Sequence, residues 1–415
     1  MRSITDLAEN AWNGDLGNFN VHPTATVSGH EVIVDGVGFV SAFSNVTAIE
    51  TTAGLVLIDT SSPFFAGSVH AGVREMFSAP VRAAVYTHGH VDHVFGILAF
   101  DAEAEAKGLP KPEVFAHENV RKRFARYLLT HGYNARINQR QFKLPSPMFP
   151  DSFRDPDQVY HEDFILEVGG VHFELYHDLG ETDDHTWVYI PEKRVLCTGD
   201  LFIWASPNCG NPQKAQRYPR EWAAALRRMD ALGAEILCPG HGPPILGAHR
   251  VRQALTETAA FLEDIVGQTL QCMNEGATLD EVLSRVIADK QLLERPYLRP
   301  IYDEPEFIVR NLWRLYGGWY DGNPAHLKPA RELQLARAIV EMAGGVDKVV
   351  AKAQSAIDAA QWRVATELIE IAHRVAPKDP SVRDVRGFIY EQRAERETSL
   401  MAKAIFGAAA RQSRE

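Results

Sequence analysis

Hydrophobic and polar residues alternate over short runs in the first 250 residues of the chain. Short runs that are rich in β-branched residues and bounded by turn residues predict β-strands. Gly169-Gly170, between two such runs, predicts a hairpin turn. The predicted strands are 31–34, 47–49, 54–59, 81–86, 164–168, 171–175, 194–197 and 234–238, and helical spacing predicts helices over 65–77 and 220–232. Strands mixed with helices over this length predict a layered α/β domain.

The pattern changes after residue 250, where apolar residues recur at intervals of three and four. This period is typical of amphipathic helices. Helices are predicted over 253–272, 279–288, 305–315, 330–342, 346–359, 362–376 and 381–396. We therefore predict two domains, an α/β domain over residues 1–250 and an all-α domain over residues 251–415.

Composition and charge narrow the class of protein. Apolar residues make up 45% of the 415 residues and charged residues 23%, which is ordinary for a globular chain. The 54 acidic and 43 basic residues give a net charge of −11, so we expect neither nucleic acid nor an anionic membrane as a partner. The four cysteines lack C-x-x-C spacing, and neither a signal peptide nor an apolar stretch of about eighteen residues is recognisable. We therefore expect a soluble cytoplasmic protein with free thiols.

A dense group of candidate metal ligands follows the apolar run 81–86. Residues 87–93 read Thr-His-Gly-His-Val-Asp-His. A loop at the end of a strand can turn alternate side chains inward, so His88 and His90 can bind one cation while Asp92 and His93 face a second. The alternative is a polar surface loop whose histidines bind no metal.

Three further candidates follow strand-like runs or turns later in the chain, and they argue against that alternative. His185 ends the string Gly-Glu-Thr-Asp-Asp-His, Asp200 follows the run 194–197, and His241 follows the run 234–238. Glycines beside Asp200 and His241 permit the tight turns that present such side chains. The two oxygens of a carboxylate suit Asp200 to bridge two ions. The seven predicted metal ligands are His88, His90, Asp92, His93, His185, Asp200 and His241.

This set of residues, in this order and at these spacings, resembles the metallo-β-lactamase fold superfamily over residues 30–250. The resemblance implies an αββα sandwich with the site at one edge, followed here by the all-α helical domain. It implies that the first metal is held by His88, His90 and His185, the second by Asp92, His93 and His241, with Asp200 as the bridge. It also implies a structural role beside the ligands for Asp59, which ends the run 54–59.

Two divalent cations that share a bound water lower its pKa from about 15.7 toward about 7 and so supply hydroxide at neutral pH. Asp92 is the predicted catalytic residue, because its carboxylate can orient this nucleophile or relay a proton. A set of histidine and aspartate ligands suits zinc, and iron and manganese accept the same ligands. The sequence contains no G-x-S-x-G motif and no P-loop. We therefore predict a dinuclear metal-dependent hydrolase.

The helical part resembles the dimerisation domain of the alkyl sulfatases of this superfamily. The most specific string is Gly-Trp-Tyr-Asp-Gly-Asn-Pro at 318–324, supported by 342–345 and 362–368. The resemblance implies a homodimer formed through the helical domain, and it makes a sulfate ester the leading substrate class. Alkyl sulfatases have glutamate at the two positions matched here by His185 and Asp200. Hydrolysis of a carboxylic ester, thioester, lactone or lactam therefore stays open, with a non-catalytic binding protein as a third alternative.

Two polar segments supply candidate substrate contacts. Segment 133–141 resembles one that the alkyl sulfatases place beside their active site, and the other segment follows Asp200. Arginine, lysine and asparagine side chains bind sulfate or carboxylate oxygens through hydrogen bonds. Each of these residues is equally compatible with a solvated loop. The predicted substrate contacts are Tyr133, Asn134, Arg136, Asn138 and Arg140 from the first segment and Asn208, Asn211, Lys214 and Arg217 from the second.

Overall fold

Two mixed β-sheets pack face to face in the computed structural model, which describes residues 3–15 and 29–415. The first sheet consists, in order across it, of β1 (Gly29–Val34), β2 (Val37–Ser41), β3 (Val46–Thr51), β4 (Gly54–Ile58), β5 (Val81–Val85), β6 (Glu113–His117) and β7 (Gln158–Tyr160). The second consists, in order across it, of β8 (Phe164–Val168), β9 (Val171–His177), β10 (Thr186–Ile190), β11 (Val195–Gly199), β12 (Ile236–Pro239) and β13 (Ile245–Leu246).

Helices flank the sheets, and they are the regular secondary structure of the described chain after β13. They are α1 (Ile4–Trp12), α2 (Ala66–Met76), α3 (Val91–Val94), α4 (Ile97–Ala106), α5 (Asn119–Leu129), α6 (His131–Phe142), α7 (Pro219–Ala231), α8 (Ala248–Asn274), α9 (Leu279–Arg285), α10 (Lys290–Leu293), α11 (Pro305–Gly317), α12 (Pro324–Leu327), α13 (Glu332–Ala343), α14 (Val346–Asp358), α15 (Trp362–Val375), α16 (Pro380–Arg396) and α17 (Leu400–Arg414). None of these helices, in the described part of the chain, has the length and apolar character needed to span a membrane.

Contacts within the chain divide it into two compact units. The first unit is formed by the described residues up to His131, by Phe149–Ala277 and by Glu281–Gly317. The second is formed by Gly132–Met148, Thr278–Asp280 and Gly318–Glu415. The domain boundary predicted between residues 250 and 251 lies inside α8, and α8, α10 and α11 belong to the first unit.

Apolar side chains pack in three layers of the first unit. Phe39 and Val85 of the first sheet meet Phe173 and Val188 of the second in the space between the sheets. A second cluster joins the outer face of the first sheet to α2, α4 and α5, and a third joins the outer face of the second sheet to α7, α8 and α11. The layers therefore follow the order helix, sheet, sheet, helix, and the predicted αββα sandwich is confirmed.

Parallel pairing determines where the polar loops emerge. β4 pairs in parallel with β5, and β11 pairs in parallel with β12, so the carboxyl ends of each pair share an edge. Two backbone hydrogen bonds join the sheets at that edge, from the Thr186 N–H to the Thr87 carbonyl (2.6 Å) and from the Asn45 N–H to the Gly240 carbonyl (2.8 Å). The loops that leave the four strands consequently meet one another.

The second unit is built from helices. α13, α14, α15 and α16 surround a core that includes Val349, Ile369 and Ile389. The buried Arg386 of α16 donates hydrogen bonds to the carbonyl of Ala409 (3.1 Å) and to Oγ of Ser413 (2.7 Å), which fastens α17 to α16. The predicted all-helical region after the sandwich is confirmed, although α17 itself was not predicted from the sequence.

Several elements depart from the hydrophobic pattern. Strands β2, β6, β7, β10 and β13 were not predicted; β7 has only three residues and β13 only two, too few to display a period of two. The predicted helix 253–272 starts earlier, at Ala248. Segment 133–141 lies within α6, which the contacts assign to the second unit from Gly132 onward.

Candidate metal centre

Loops at the shared edge of the sheets carry the candidate ligands and Asp59 beside them. Asp59 follows β4 directly, residues 87–93 follow β5, Asp200 follows β11, and His241 lies two residues beyond β12. These side chains are buried or half-buried. Six of the seven predicted ligands belong to two groups of metal-binding side chains, His88, His90, Glu181 and Asp200 in the first group and Asp92, His93 and His241 in the second.

The first group brings two imidazoles and two carboxylates together. Nε2 of His88 lies 2.8 Å from Nδ1 of His90 and 3.8 Å from Oδ2 of Asp200. Nδ1 of His90 lies 4.0 Å from Oε2 of Glu181. Four side chains with one ligand atom each are enough for a tetrahedral site.

The second group lies directly beside the first, with Asp200 between them. Nε2 of His93 is 3.3 Å from Oδ1 of Asp200, and Nε2 of His241 is 3.4 Å from the same oxygen. Oδ2 of Asp92 lies 3.8 Å from Nε2 of His93 and 3.5 Å from Nε2 of His241. Asp200 thus presents Oδ2 to the first group and Oδ1 to the second, which is the arrangement of a bridging carboxylate.

Hydrogen bonds fix which ring nitrogen of each histidine carries the proton. Nδ1 of His93 donates to Oδ2 of Asp59 (2.7 Å), and Nδ1 of His241 donates to the carbonyl of Phe43. Oγ1 of Thr87 donates to Asp59 and therefore accepts from Nδ1 of His88 (3.0 Å). In all three rings Nδ1 carries a proton and Nε2 faces the site, so Nε2 is the nitrogen that would bind a metal ion. The structural role implied for Asp59 agrees with these contacts.

The chemistry of the donor set fits divalent cations. Oε2 of Glu181 and Oδ1 of Asp200 are buried without a hydrogen-bond partner among the described residues. Burial of charged carboxylate oxygens without hydrogen-bond donors costs free energy unless a cation neutralises them. We infer that the residues at this edge fit two adjacent divalent metal ions, as the resemblance to the superfamily implies.

The pKa values of the histidines also favour bound cations. Burial lowers the pKa of His88 and of His90 well below the ordinary value, so both rings are neutral. Burial also opposes protonation of His93, but Asp200, Asp59 and Asp92 raise its pKa well above the ordinary value. A carboxylate surplus that attracts a proton to His93 equally attracts a metal cation, which would displace that proton.

Glu181, which the sequence analysis did not name, is the fourth member of the first group. Asn208 and Arg217 both donate hydrogen bonds to Oε1 of Glu181, which leaves Oε2 facing His90. His185 lies beside the first group, with its ring stacked on His88 at 4.7 Å between centroids, and its Nε2 lies 3.1 Å from the Thr198 carbonyl. Burial lowers the pKa of His185 to about 4. The assignment of individual ligands, His185 included, stays a prediction.

Two glycines allow the strand ends to approach each other. A Cβ on Gly240 would lie 2.2 Å from Oδ1 of Asp200, and a Cβ on Gly199 would lie 2.7 Å from Nε2 of His185. Gly199 also has a φ of 49°, in the left-handed region that glycine adopts most readily. These are the glycines beside Asp200 and His241 for which the sequence predicted tight turns.

The predicted substrate contacts lie in two different places. Asn208 and Arg217 hold Glu181 in place, and Nδ2 of Asn211 is buried without a partner in the described structure. Lys214 is half-buried in the same segment and interacts electrostatically with Asp92 and Glu181. The remaining five, Tyr133, Asn134, Arg136, Asn138 and Arg140, lie on α6 in the second unit. Their role in substrate binding stays a prediction.

Sequence reasoning also missed Tyr302, which precedes α11. Its neighbour Asp303 accepts a hydrogen bond from the Glu304 N–H (2.8 Å) and another from the Gly210 N–H, and so binds this segment to the loop after Asp200. Burial raises the pKa of Tyr302 well above the ordinary value, and Glu181 and Asp92 raise it further. No motif in the sequence marks this tyrosine, because it lies in the helical part of the chain, outside the segments that carry the predicted ligands.

Comparisons with known proteins agree with this geometry. Residues 42–241 match the family model of the metallo-beta-lactamase superfamily, and residues 278–415 match the model described as alkyl sulfatase dimerisation. The sandwich part of the chain therefore matches the metallo-β-lactamase superfamily, and its helical part matches an alkyl sulfatase-type dimerisation domain. Both resemblances predicted from the sequence are confirmed.

Individual relatives of the chain belong to a narrower class of protein than the superfamily. A linear primary-alkylsulfatase from a Pseudomonas species is 29% identical over 361 residues, which cover 81% of this chain and 68% of the relative. An (R)-specific secondary-alkylsulfatase from Pseudomonas sp. is 29% identical over 372 residues, which cover 83% and 55%. The solved structure of the stereoselective inverting sec-alkylsulfatase Pisa1 from Pseudomonas sp. has a TM-score of 0.81 at 25% identity, over 93% of this chain and 66% of that one. The chain therefore spans between about half and two thirds of the length of these relatives.

Proposed function

We propose that the protein hydrolyses sulfate esters of small organic alcohols with the help of two divalent metal ions. The observation that carries the proposal is a pair of ligand groups joined by Asp200, in a chain that is similar to alkylsulfatases over more than four fifths of its length. The two carboxylates of the first group, Glu181 and Asp200, add support, because alkyl sulfatases pair two carboxylates in this part of the site. We propose zinc as the metal, since histidine and carboxylate ligands at this density suit it.

The bound ions would polarise the sulfate ester and make a water molecule acidic enough to act as the nucleophile. The residues of this chain have separate tasks around them. Asp59, Thr87 and the Phe43 carbonyl keep the imidazoles in the metal-binding form. The carboxylate of Asp92 is 24% exposed, so it has access to water and can accept and pass on a proton.

The segment after Asp200 offers positive charge and a hydrogen-bond donor to the sulfate group. Lys214 has no ion-pair partner among the described residues, although it lies in the field of Asp92 and Glu181. Nδ2 of Asn211 is a buried donor without an acceptor. Both are free to bind sulfate oxygens, whereas Arg217 is already paired with Glu181.

The proposed activity is tested with purified protein and matched esters of one alkyl alcohol. We expect metal near two ions per chain and release of sulfate faster than release of carboxylate from the corresponding carboxylic ester. His88→Ala should reduce both the metal content and sulfate release, the latter by more than about 100-fold, because even residues that only orient a metal ligand contribute 10- to 100-fold.

The matched control is His249→Ala, which removes an exposed histidine from the first turn of α8 and should leave metal content and activity unchanged. Preferential hydrolysis of the carboxylic ester, thioester, lactone or lactam would identify one of the alternative hydrolases. Metal-free, inactive protein would favour the non-catalytic alternative.

We also propose that the chain forms a homodimer through its helical part, because residues 278–415 match a dimerisation domain. Light scattering at micromolar concentration should give about twice the 46.2 kDa mass of the chain. A mass equal to that of one chain at the same concentration would contradict the proposal.

A further inference from the structure

Gly89 separates the two histidines of the first ligand group, and a buried carboxylate holds its backbone. The N–H of Gly89 donates a hydrogen bond to Oδ2 of Asp184 at 2.9 Å. Asp184 is fully buried and lies three residues after Glu181, the carboxylate ligand candidate of the same group. This hydrogen bond therefore joins the loop that carries His88 and His90 to the loop that carries Glu181.

The same oxygen of Asp184 is held from the other side by Arg123. Nε of Arg123 lies 2.8 Å from Oδ2 of Asp184, and its Nη2 donates to Asp183. Arg123 is on α5 and is only 5% exposed, so its position is set by the packing of that helix on the sandwich. A second contact, from Nδ2 of Asn119 to the Asp183 carbonyl (2.9 Å), fixes the loop to α5 again.

The packing around Gly89 is tight. A Cβ at this position would lie 3.0 Å from Cδ of Arg123 and 3.1 Å from Oδ2 of Asp184. A buried ion pair costs desolvation energy, and it stabilises best when further hydrogen bonds satisfy both partners. Here the additional donor is the Gly89 N–H, in the loop that carries His88 and His90, so the ion pair also holds that loop in position.

The contacts of this pair are confined to the first ligand group. The rings of the second group are oriented by other groups, His93 by Asp59 and His241 by the Phe43 carbonyl. Loss of Asp184 should therefore loosen the positions of His88, His90 and Glu181 and leave the second group as it is.

We propose that Asp184, held by Arg123, is a positioning residue that sets the metal affinity of the first ligand group selectively. The proposal rests on the metal site described under the proposed function, but it does not depend on which ester is cleaved. Partners that orient metal ligands typically contribute about 10- to 100-fold in metal affinity.

The experiment measures zinc affinity by competition with a chromophoric chelator in two backgrounds. His241→Ala weakens the second group and leaves the first to be measured, and His88→Ala weakens the first and leaves the second. We expect Asp184→Ala to lower the affinity by about 10- to 100-fold in the His241→Ala background and to have no effect in the His88→Ala background. Asp184→Asn keeps an acceptor oxygen for the Gly89 N–H and should restore most of the affinity.

Asp183→Ala is the matched control, because Asp183 pairs with the same guanidinium but makes no contact with Gly89. It should leave both affinities unchanged. If Asp184→Ala does not fold, as judged by circular dichroism of the metal-free protein, Asp184→Ser carries the same expectation, since its shorter side chain cannot reach Gly89.

Equal zinc affinity of folded Asp184→Ala and its parent in the His241→Ala background would overturn the proposal. Equal losses in both backgrounds, or an equal loss with Asp183→Ala, would also overturn it, because the pair would then act on stability in general. Absence of zinc binding by the unmodified chain would instead refute the metal site and the proposed function together.

Discussion

Replacement of Asp200 by asparagine is expected to reduce sulfate ester hydrolysis by about 100- to 1000-fold, on the scale of losing a principal electrostatic stabiliser of an active site. Asp200 is the side chain whose two oxygens face the two ligand groups, at 3.8 Å from His88 and 3.3 Å from His93. An amide keeps the shape but presents only one acceptor and no negative charge, so it cannot serve both metal ions. Metal analysis and sulfate release on the purified variant measure the effect.

The control is Asp230→Asn, which removes a carboxylate on α7 that pairs with Arg252 away from the ligands. It should retain two metal ions per chain and full activity. If Asp200→Asn retained both metal ions and more than a tenth of the activity, Asp200 would not be the bridge.

The second large effect is on KM for the anionic substrate, after replacement of Lys214. Lys214→Met is expected to raise KM for an alkyl sulfate by about 10- to 100-fold, because a hydrogen bond to a charged group contributes about 1.5–3 kcal/mol and each 1.4 kcal/mol is a factor of ten. Since Lys214 would bind the sulfate group before and during the reaction alike, kcat should change much less than KM. Metal content should stay the same. The control is Lys193→Met, which replaces a lysine that donates a hydrogen bond to the Asp35 carbonyl, and it should leave KM unchanged.

The pKa of Lys214 predicts that KM for the sulfate ester depends on pH. Burial lowers the pKa of Lys214 to about 8, and repulsion from Arg217 contributes to the shift. The side chain is cationic below this pKa and neutral above it, so KM for the sulfate ester should rise as the pH increases through about 8. Lys214→Met should abolish this limb of the profile, and Lys214→Arg should remove it from this pH range. An unchanged profile in Lys214→Met would show that another group titrates.

The local motif allowed most of the metal centre to be predicted. His88, His90, Asp92 and His93 lie within six residues, and their spacing at the end of a strand already indicates two ions. Asp200 and His241 could be found because each follows a predicted strand at a glycine, and parallel strands end at a common edge. The alternation of strands and helices predicted a layered α/β domain, and the resemblance to the superfamily implied its αββα order.

Glu181 could not be chosen from the sequence for a physical reason. The string from Glu181 to His185 has no regular period, so its side chains cannot be assigned to an inner or an outer face. What turns Glu181 inward is a pair of hydrogen bonds from Asn208 and Arg217, which are 27 and 36 residues away along the chain. Such long-range contacts become visible only in three dimensions. Tyr302 escaped attention for the same reason.

The close approach of the strand ends limits which substitutions this protein can accept. Gly199 and Gly240 leave no space for even a methyl group beside His185 and Asp200. In a library that randomises the edge of the sandwich, selection for folded protein should return glycine at both positions. Changes of substrate preference must therefore come from side chains that are not wedged between ligands, and Asn211 and Lys214 are the first positions to diversify.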